Sequence, residues 1–214
     1  MRKLFCTIGI DISVVLLFAA FVFSVSGCSR KKSRYAETII PDGVEVMPGD
    51  VLFRRGEGLL SNVVLHVDNG RYSHVGIAVD SAGVIMVVHA VPAEPDYAGD
   101  PDRVKMDRLE TFYSREYAVN GEITRIADRS AAKAASLEAI RLYRKKILFD
   151  HDYDSSDTTR LYCSELVENA YRKAGVSLAD NRRHDYNVPG FSVMQVITPS
   201  DLYASPLLAS IIKF

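Results

Sequence analysis

A β-hairpin between residues 72 and 90 constrains the fold of this chain more than any other sequence feature. Residues 72–79 are rich in strand-forming side chains, residues 80–83 read Asp-Ser-Ala-Gly, and residues 84–90 are apolar except for a histidine. Two apolar runs around such a turn predict an antiparallel pair of strands. Because the second strand is apolar apart from this histidine, we expect both of its faces to be buried.

Two histidines lie at the open end of this hairpin. His74 opens the first strand and His89 closes the second, so a tight turn near Ala82 would bring the two rings close together. An imidazole titrates near neutral pH and can act as a general base when a polar neighbour orients it. A single strand histidine is more often structural, but a pair on an apolar hairpin favours a functional role. With Cys163 the two could instead hold zinc, but no spacing typical of a zinc site supports this, and neither a metal nor a cofactor is predicted.

Cys163 stands at the start of an amphipathic helix. Leu166, Val167 and Ala170 recur at the spacing of one helical face, and Gly175 suits the position just after the helix. The partial positive charge and unpaired N–H groups of a helix N terminus favour a thiolate, the reactive form of cysteine. The alternative is a buried and unreactive thiol. The helix alone leaves both interpretations open.

Residues 1–27 have the pattern of an export signal. Arg2 and Lys3 precede an apolar run over residues 12–25 that ends in small residues, and an uncleaved anchor is the alternative. Residues 25–28 read Val-Ser-Gly-Cys and resemble the bacterial lipobox, in which the cysteine is lipidated. This resemblance implies a diacyl anchor on Cys28, which would attach the protein to a membrane.

The lipobox also implies how the rest of the chain is organised. Residues 28–43 are then a tether, and residues 44–214 are the folded domain, in the periplasm of a bacterial envelope. Ser29 rather than Asp follows the cysteine, which favours the outer membrane over the inner one. Cys6 leaves with the signal and Cys28 is acylated, so Cys163 has no disulfide partner. A lone thiol in an oxidising compartment is a liability unless it is buried or used.

Composition narrows the function classes. The chain has 214 residues and a net charge of −1, which suits one domain and gives no reason to expect nucleic acid as a partner. We expect a monomer. The acidic run over residues 150–157 does not match a calcium loop, because Ser155 stands where glycine is needed.

The remaining elements are predicted from local patterns. In the first half of the chain they are a strand over residues 51–53, a helix or ordered loop over 56–67 and a long loop over 91–107. A hairpin over 117–126 turning at Asn120-Gly121 follows, and then a helix from Ser130 to Lys146 with Leu137, Ile140 and Ile147 facing inward. The chain closes with a strand over 192–197 and a short helix capped by residues 199–201.

Three motifs in this order resemble a known superfamily. Residues 73–77 (Ser-His-Val-Gly-Ile), 88–90 (Val-His-Ala) and 162–167 (Tyr-Cys-Ser-Glu-Leu-Val) are similar to those of the NlpC/P60 papain-like cysteine hydrolases. The cysteine follows the histidine strand, which is the order of the circularly permuted branch with the YiiX/YebB-like and lecithin:retinol acyltransferase-like proteins. The resemblance covers residues 47–203 and implies an α+β, circularly permuted papain-like fold. In such a fold an antiparallel sheet packs against helices, the nucleophile helix among them.

The resemblance also implies residue roles. Cys163 would be the nucleophile, His74 the base and His89 the polar third member. Tyr162 would line the cleft or support the oxyanion site beside the backbone N–H of Cys163. Glu165 could cap the helix or contact substrate, and Tyr153 is a further candidate for the cleft.

The sequence therefore predicts a cell-envelope cysteine hydrolase that forms an acyl-enzyme. An amide in a peptidoglycan stem peptide is the leading substrate. A lipid-linked acyl ester or amide, cleaved or transferred as in the acyltransferase-like relatives, is the second. A non-catalytic binding module is the third.

Overall fold

The computed structural model describes residues 37–157, 159–188 and 191–214. The predicted export signal and Cys28 lie outside these residues. The strands are β1 (Val51–Arg55), β2 (His74–Ser81), β3 (Val84–Val91), β4 (Arg103–Arg108), β5 (Asn120–Ile126), β6 (Leu148–Phe149), β7 (Arg160–Leu161), β8 (His184–Val188), β9 (Phe191–Val196) and β10 (Leu208–Lys213). The helices are α1 (Leu59–Asp68), α2 (Leu109–Phe112), α3 (Arg129–Arg144), α4 (Cys163–Lys173) and α5 (Pro199–Tyr203). No helix in the described part of the chain is long and apolar enough to cross a membrane.

One large sheet organises the described chain. Its eight strands have the order β10-β5-β1-β2-β3-β4-β6-β7, while β8 and β9 pair separately. Neighbouring strands are antiparallel except for β6 and β7. One face packs against α3 and α4, and the other packs against α2 and the segment before β1. An antiparallel sheet with helices on its faces confirms the predicted α+β class.

The hairpin of β2 and β3 is confirmed. Ile77 pairs with Val88, and the turn uses Ala82 and Gly83, both with positive φ. The last five residues of β3 are buried, but Val84, Ile85 and Met86 are not, so burial on both faces holds only for the half of the strand nearer the site. Alternation along the strands puts His74 and His89 on the face that packs against α2.

Gly76 is required where β2 meets β3. A Cβ added at this position would lie 2.6 Å from Val87 Cγ1 and 3.2 Å from the Cβ of His89. His89 therefore lies beside Gly76, and His74 lies diagonally across from it rather than directly opposite. Only a residue without a side chain leaves room for the side chain of Val87 at this position.

Several expectations for the middle of the chain are wrong. Residues 103–108 are strand β4, so the predicted loop over 91–107 is limited to residues 92–102. Residues 120–126 form one strand between β1 and β10, so Asn120-Gly121 is not a hairpin turn. Helix α3 buries mainly alanines, while Leu137 is 59% exposed. Its N-cap is Asp128, whose carboxylate accepts from the backbone N–H groups of Ser130 and Ala131.

The packed chain begins earlier than the predicted boundary at residue 44. Thr38 forms a bridge with Ser114, and the N–H of Ile39 donates to the carbonyl of Tyr113 at 2.9 Å. Ile39 and Ile40 pack against the buried cluster on the α2 side of the sheet.

Helix α4 is confirmed with its predicted cap. Leu166, Val167 and Ala170 are fully buried. Gly175 has a φ of +85°, and the N–H of Val176 donates to the carbonyl of Tyr171 at 3.0 Å. This is the pattern of a Schellman motif, which satisfies the last carbonyls of a helix.

The contact at Gly76 generates a stability prediction. We expect Gly76→Ala to lower the free energy of unfolding by about 1–3 kcal/mol, because the added methyl group overpacks the β2–β3 pair. Gly58→Ala is the control, since no atom lies within 4 Å of a Cβ at that position. Denaturation in urea would measure both variants, and equal losses at the two positions would contradict this account.

Candidate active site

A chain of four buried polar groups runs across β2, β3 and β4. His74 Nε2 lies 2.9 Å from His89 Nδ1, and His89 Nε2 lies 3.0 Å from Asp107 Oδ2. Lys105 Nζ lies 3.2 Å from the same Asp107 oxygen. All four residues are at most 8% exposed. We call this set the histidine relay.

The carboxylate of Asp107 determines where the ring protons lie. An ionised carboxylate only accepts hydrogen bonds, so neutral His89 must carry its proton on Nε2. Its Nδ1 is then free to accept from Nε2–H of His74. This leaves Nδ1 of His74 unprotonated, as a general base requires.

The surroundings of Asp107 favour its ionised form. Burial raises the pKa of Asp107, but the hydrogen bond with His89 and the charge of Lys105 outweigh burial and hold it below its ordinary value. Burial lowers the pKa of Lys105, while Asp96, at 2.8 Å, and Asp107 raise it more strongly. The relay therefore ends in an ion pair between Asp107 and Lys105.

Cys163 starts α4 beside the first residues of β2. Its Sγ lies 3.8 Å from Ser164 Oγ, and the backbone of Val75 is also a hydrogen-bonding partner of the thiol. Among the described contacts no hydrogen bond joins Sγ to His74, although both residues line the same cavity. Catalytic hydrogen bonds are often longer before substrate binds.

Both Cys163 and His74 are neutral in this resting arrangement. Burial raises the pKa of the Cys163 thiol above 9.0, although Ser164, the backbone of Val75 and the charge of Arg54 oppose the shift. Burial, followed by the charge of Arg54 and the electrostatic effect of the neighbouring His89 ring, lowers the pKa of His74 well below 6.5. Burial thus opposes the thiolate that the helix N terminus is expected to favour.

The two predicted cleft tyrosines, Tyr153 and Tyr162, line the cavity beside Cys163. Their rings are 5.3 Å apart. The hydroxyl of Tyr162 accepts from the N–H of Ile197 at 2.9 Å and lies 3.2 Å from Ser155 Oγ, so it is already engaged. Burial and the proximity of Cys163 raise the pKa of Tyr153, which keeps its hydroxyl protonated. Burial and the proximity of Cys163 raise the pKa of Tyr162 as well.

Glu165 lies away from the cavity wall. Its carboxyl is 5% exposed, and Oε2 is buried with no hydrogen-bond partner among the described residues. Burial and the charge of Asp150 raise the pKa of Glu165 to about 8, against a hydrogen bond with the backbone of Tyr162, the N-cap of α4. The bond to the N-cap supports a role for Glu165 in capping α4 rather than in contacting the substrate.

The cavity at Cys163 has a volume of about 530 Å³. One wall is α1, which buries none of its residues in the core and turns an apolar stripe to the cavity. The β8–β9 hairpin also lines the cavity. The apolar lining of the cavity includes Leu60, Val63, Val64, Val67, Val193 and Val196. A polar end contains Arg54, Glu94 and Glu116.

Sequence reasoning missed several residues of the site. Asp107 and Lys105 were assigned to a loop, although residues 103–108 alternate polar and apolar side chains as a strand does. Nothing in the sequence around Arg54 and Glu94 indicated that they belong to the site, because an ion pair between residues 40 positions apart is not visible in a local pattern.

The comparisons with known proteins agree with this geometry. Residues 45–212 match the family model described as permuted papain-like amidase enzyme, YaeF/YiiX, C92 family. The chain belongs to this YaeF/YiiX amidase family. Membership confirms the predicted circularly permuted papain-like fold and the class of cysteine hydrolase acting on amides. No curated protein matches the sequence.

A solved structure shows the same fold. The structure titled metalloprotein yiiX from Escherichia coli O157:H7 is similar with a TM-score of 0.62 and 18% identity, over 84% of this chain and 98% of that one. The described residues of the present amidase contain no group of three or more His, Cys, Asp or Glu side chains placed to hold a metal ion. We therefore derive no step through a metal.

The raised pKa of Glu165 generates a prediction for this YaeF/YiiX-family amidase. Because the folded protein holds this proton up to about pH 8 while the unfolded chain loses it near 4.5, stability falls as pH rises between these values. We expect Glu165→Gln to reduce the loss of unfolding free energy between pH 6 and 9 by about 1–4 kcal/mol.

Urea denaturation at several pH values would measure this effect. Glu110→Gln is the control, because Glu110 is exposed in the first turn of α2. An identical pH dependence in Glu165→Gln and the wild type would contradict the raised pKa.

Proposed function

We propose that this protein hydrolyses an amide whose acyl part is an apolar chain, with Cys163 as nucleophile and His74 as base. The observation that carries the proposal is the apolar cavity at Cys163. It is large enough for a lipid-like chain and is lined by α1 and the β8–β9 hairpin. Apolar lining with a few polar groups near the reacting atoms is typical of sites for small apolar ligands.

In the first step the thiol is activated as it attacks. The sulfur of Cys163 bonds to the amide carbonyl carbon while its proton passes to Nδ1 of His74. The carbonyl oxygen becomes an oxyanion. The new charge on His74 is stabilised through His89 by Asp107, whose carboxylate ends the relay.

In the second step the tetrahedral intermediate collapses. The C–N bond breaks, Nδ1 of His74 returns its proton to the leaving nitrogen, and a thioester remains on Cys163. Water then attacks the thioester with His74 as base, which releases the acid and restores the thiol. Transfer to an alcohol or amine instead of water would make the same enzyme an acyltransferase.

The backbone supplies the donor for the oxyanion in this proposal. The backbone N–H of Cys163 is at the N terminus of α4, where amide groups lack partners within the helix. Tyr153 lines the cavity beside Tyr162. Tyr162 contributes its ring to the cavity wall, since its hydroxyl already bonds to Ile197.

The cavity changes the order of the predicted substrates. A stem peptide is polar and would leave the stripe on α1 in contact with polar groups or water, whereas an acyl chain would cover it. We therefore place the lipid-linked acyl amide ahead of the peptidoglycan amide. The relay argues against the non-catalytic module, because four buried polar groups are costly to maintain without a use.

The proposal retains a lipid anchor on Cys28 and a place in the bacterial envelope. Both rest on the sequence alone, since Cys28 lies outside the described residues. An anchored enzyme would meet substrates whose acyl chains come from a bilayer.

Chain-length dependence tests the proposed function. We expect the protein to release dodecanoate from an N-dodecanoyl amide with a higher kcat/KM than acetate from the matching N-acetyl amide, and to leave stem peptides intact. Val64→Ser should reduce the preference for the long chain about tenfold, because it removes roughly 1.4 kcal/mol of apolar contact. Cys163→Ala should abolish turnover.

Asn62→Ser is the matched control for Val64→Ser, because Asn62 is an exposed residue of the same helix. Release of stem-peptide fragments without fatty acid would favour the peptidoglycan amide instead. Turnover by Cys163→Ala would contradict the mechanism.

A further inference from the structure

A buried ion pair stands at the polar end of the cavity. Arg54 Nη2 pairs with Glu94 Oε1, and the two side chains are 3% and 10% exposed. Arg54 Nη1 also donates to the carbonyl of Phe112 at 2.8 Å. The guanidinium lies over the rings of Phe112 and Tyr117, at 4.7 and 5.4 Å from their centroids. Arg54 is therefore fixed in position by the fold.

The partner of Arg54 is incompletely satisfied. Oε2 of Glu94 is buried and has no hydrogen-bond partner among the described residues. An arginine can bind both oxygens of a carboxylate through two parallel N–H groups, which is the stronger arrangement. Glu94 uses only one of its oxygens, so a better placed carboxylate could bind Arg54 more completely.

Glu94 can leave without moving the loop that carries it. Lys105 Nζ donates to the backbone carbonyl of Glu94 at 3.0 Å. The N–H of the preceding Ala93 donates to Asp102 Oδ1 at 2.8 Å. These bonds hold the backbone, so rotation of the Glu94 side chain is sufficient to free Arg54.

Arg54 acts on the reacting groups as well as lining their cavity. After burial, its charge is the largest contribution to the lowered pKa of His74. It also opposes the rise in the pKa of Cys163. A guanidinium within electrostatic reach of both the predicted base and the predicted nucleophile is well placed to hold the polar part of a substrate.

A buried guanidinium without a counter-charge is strongly destabilising. The free protein must therefore keep one carboxylate on Arg54 at all times. Glu94 meets this need while the cavity holds no ligand, and a ligand carboxylate could meet it afterwards. Both Arg54 and Glu94 line the cavity, where a ligand can reach them.

We propose that Arg54 binds a carboxylate of the substrate and that Glu94 occupies this position until the ligand displaces it. The inference rests on the proposed function and makes its substrate class narrower. The substrate is then an amphiphilic amide with an apolar acyl chain and an acidic polar part. The chain lies along α1, and the carboxylate lies on Arg54.

Equilibrium binding to full-length protein with Cys163→Ala tests this inference without turnover. The probes are N-dodecanoylglycine and N-dodecanoyl-β-alanine, each compared with its carboxamide by titration calorimetry below the micelle concentration. We expect each acid to bind at least about tenfold more tightly than its carboxamide, which corresponds to roughly 1.4 kcal/mol.

Variants at the ion pair should change this preference in opposite directions. Glu94→Gln should strengthen the binding of the acids several-fold, because the competing carboxylate is gone. The double variant Arg54→Gln/Glu94→Gln should bind acid and carboxamide equally, and it avoids leaving a buried charge unpaired. Glu116→Gln is the matched control, since Glu116 is an exposed carboxylate at the same end of the cavity, and it should leave the preference unchanged.

The outcomes separate this inference from the proposed function. If acids and carboxamides bind equally in the parent protein, the carboxylate site is wrong and the apolar-chain substrate stands. If the double variant keeps the preference for acids, another group binds the carboxylate and Arg54 does not. If no dodecanoyl probe binds, both proposals fail.

Discussion

The hydrogen bond between His89 and Asp107 is the interaction on which the rest of the site depends. Asp107 is the fixed negative charge at the end of the relay, and Lys105 holds it in place. Because a carboxylate only accepts, it sets the proton of His89 and, through it, the proton of His74. Without this charge the two rings could exchange roles, and the nitrogen of His74 needed for catalysis would carry a proton. The sheet provides the geometry, since neighbouring strands bring all four side chains to one face.

Burial determines the protonation states of Cys163 and His74 before the proposed reaction begins. The apolar walls that suit an acyl chain also bury His74 and part of Cys163, which lowers the pKa of His74 and raises that of the thiol, so both rest as neutral groups. A helix N terminus can lower the pKa of a thiol, but desolvation is the larger effect here. The proposed reaction therefore depends on proton transfer during attack rather than on a preformed ion pair. Substrate selection and acid–base chemistry arise from the same apolar surface.

Local patterns in the sequence were enough for the parts of the site that lie on single elements. The hairpin that carries His74 and His89, and the helix that begins at Cys163, both have strong periodicity and clear end signals. The order of the two motifs identified the permuted fold. Asp107 was missed because the prolines and acids of residues 92–102 obscured where the loop ends and β4 begins.

Other features depend on contacts between distant segments. Arg54 meets Glu94 only because β1 and the loop after β3 come together in the fold. The stripe on α1 has helical spacing, but the sequence cannot show whether it faces the core or a cavity. The elevated pKa of Glu165 likewise follows from burial beside Asp150, which no local pattern reveals.

The protonation state of the two relay histidines tests the central claim most directly. Nitrogen-15 chemical shifts of the imidazole rings would show which nitrogen carries the proton in each ring at neutral pH. We expect His74 to be neutral and both rings to carry a proton on Nε2, and we expect Asp107→Asn to disturb this arrangement. A proton on Nδ1 of His74 in the free protein, or unchanged ring shifts in Asp107→Asn, would contradict this expectation.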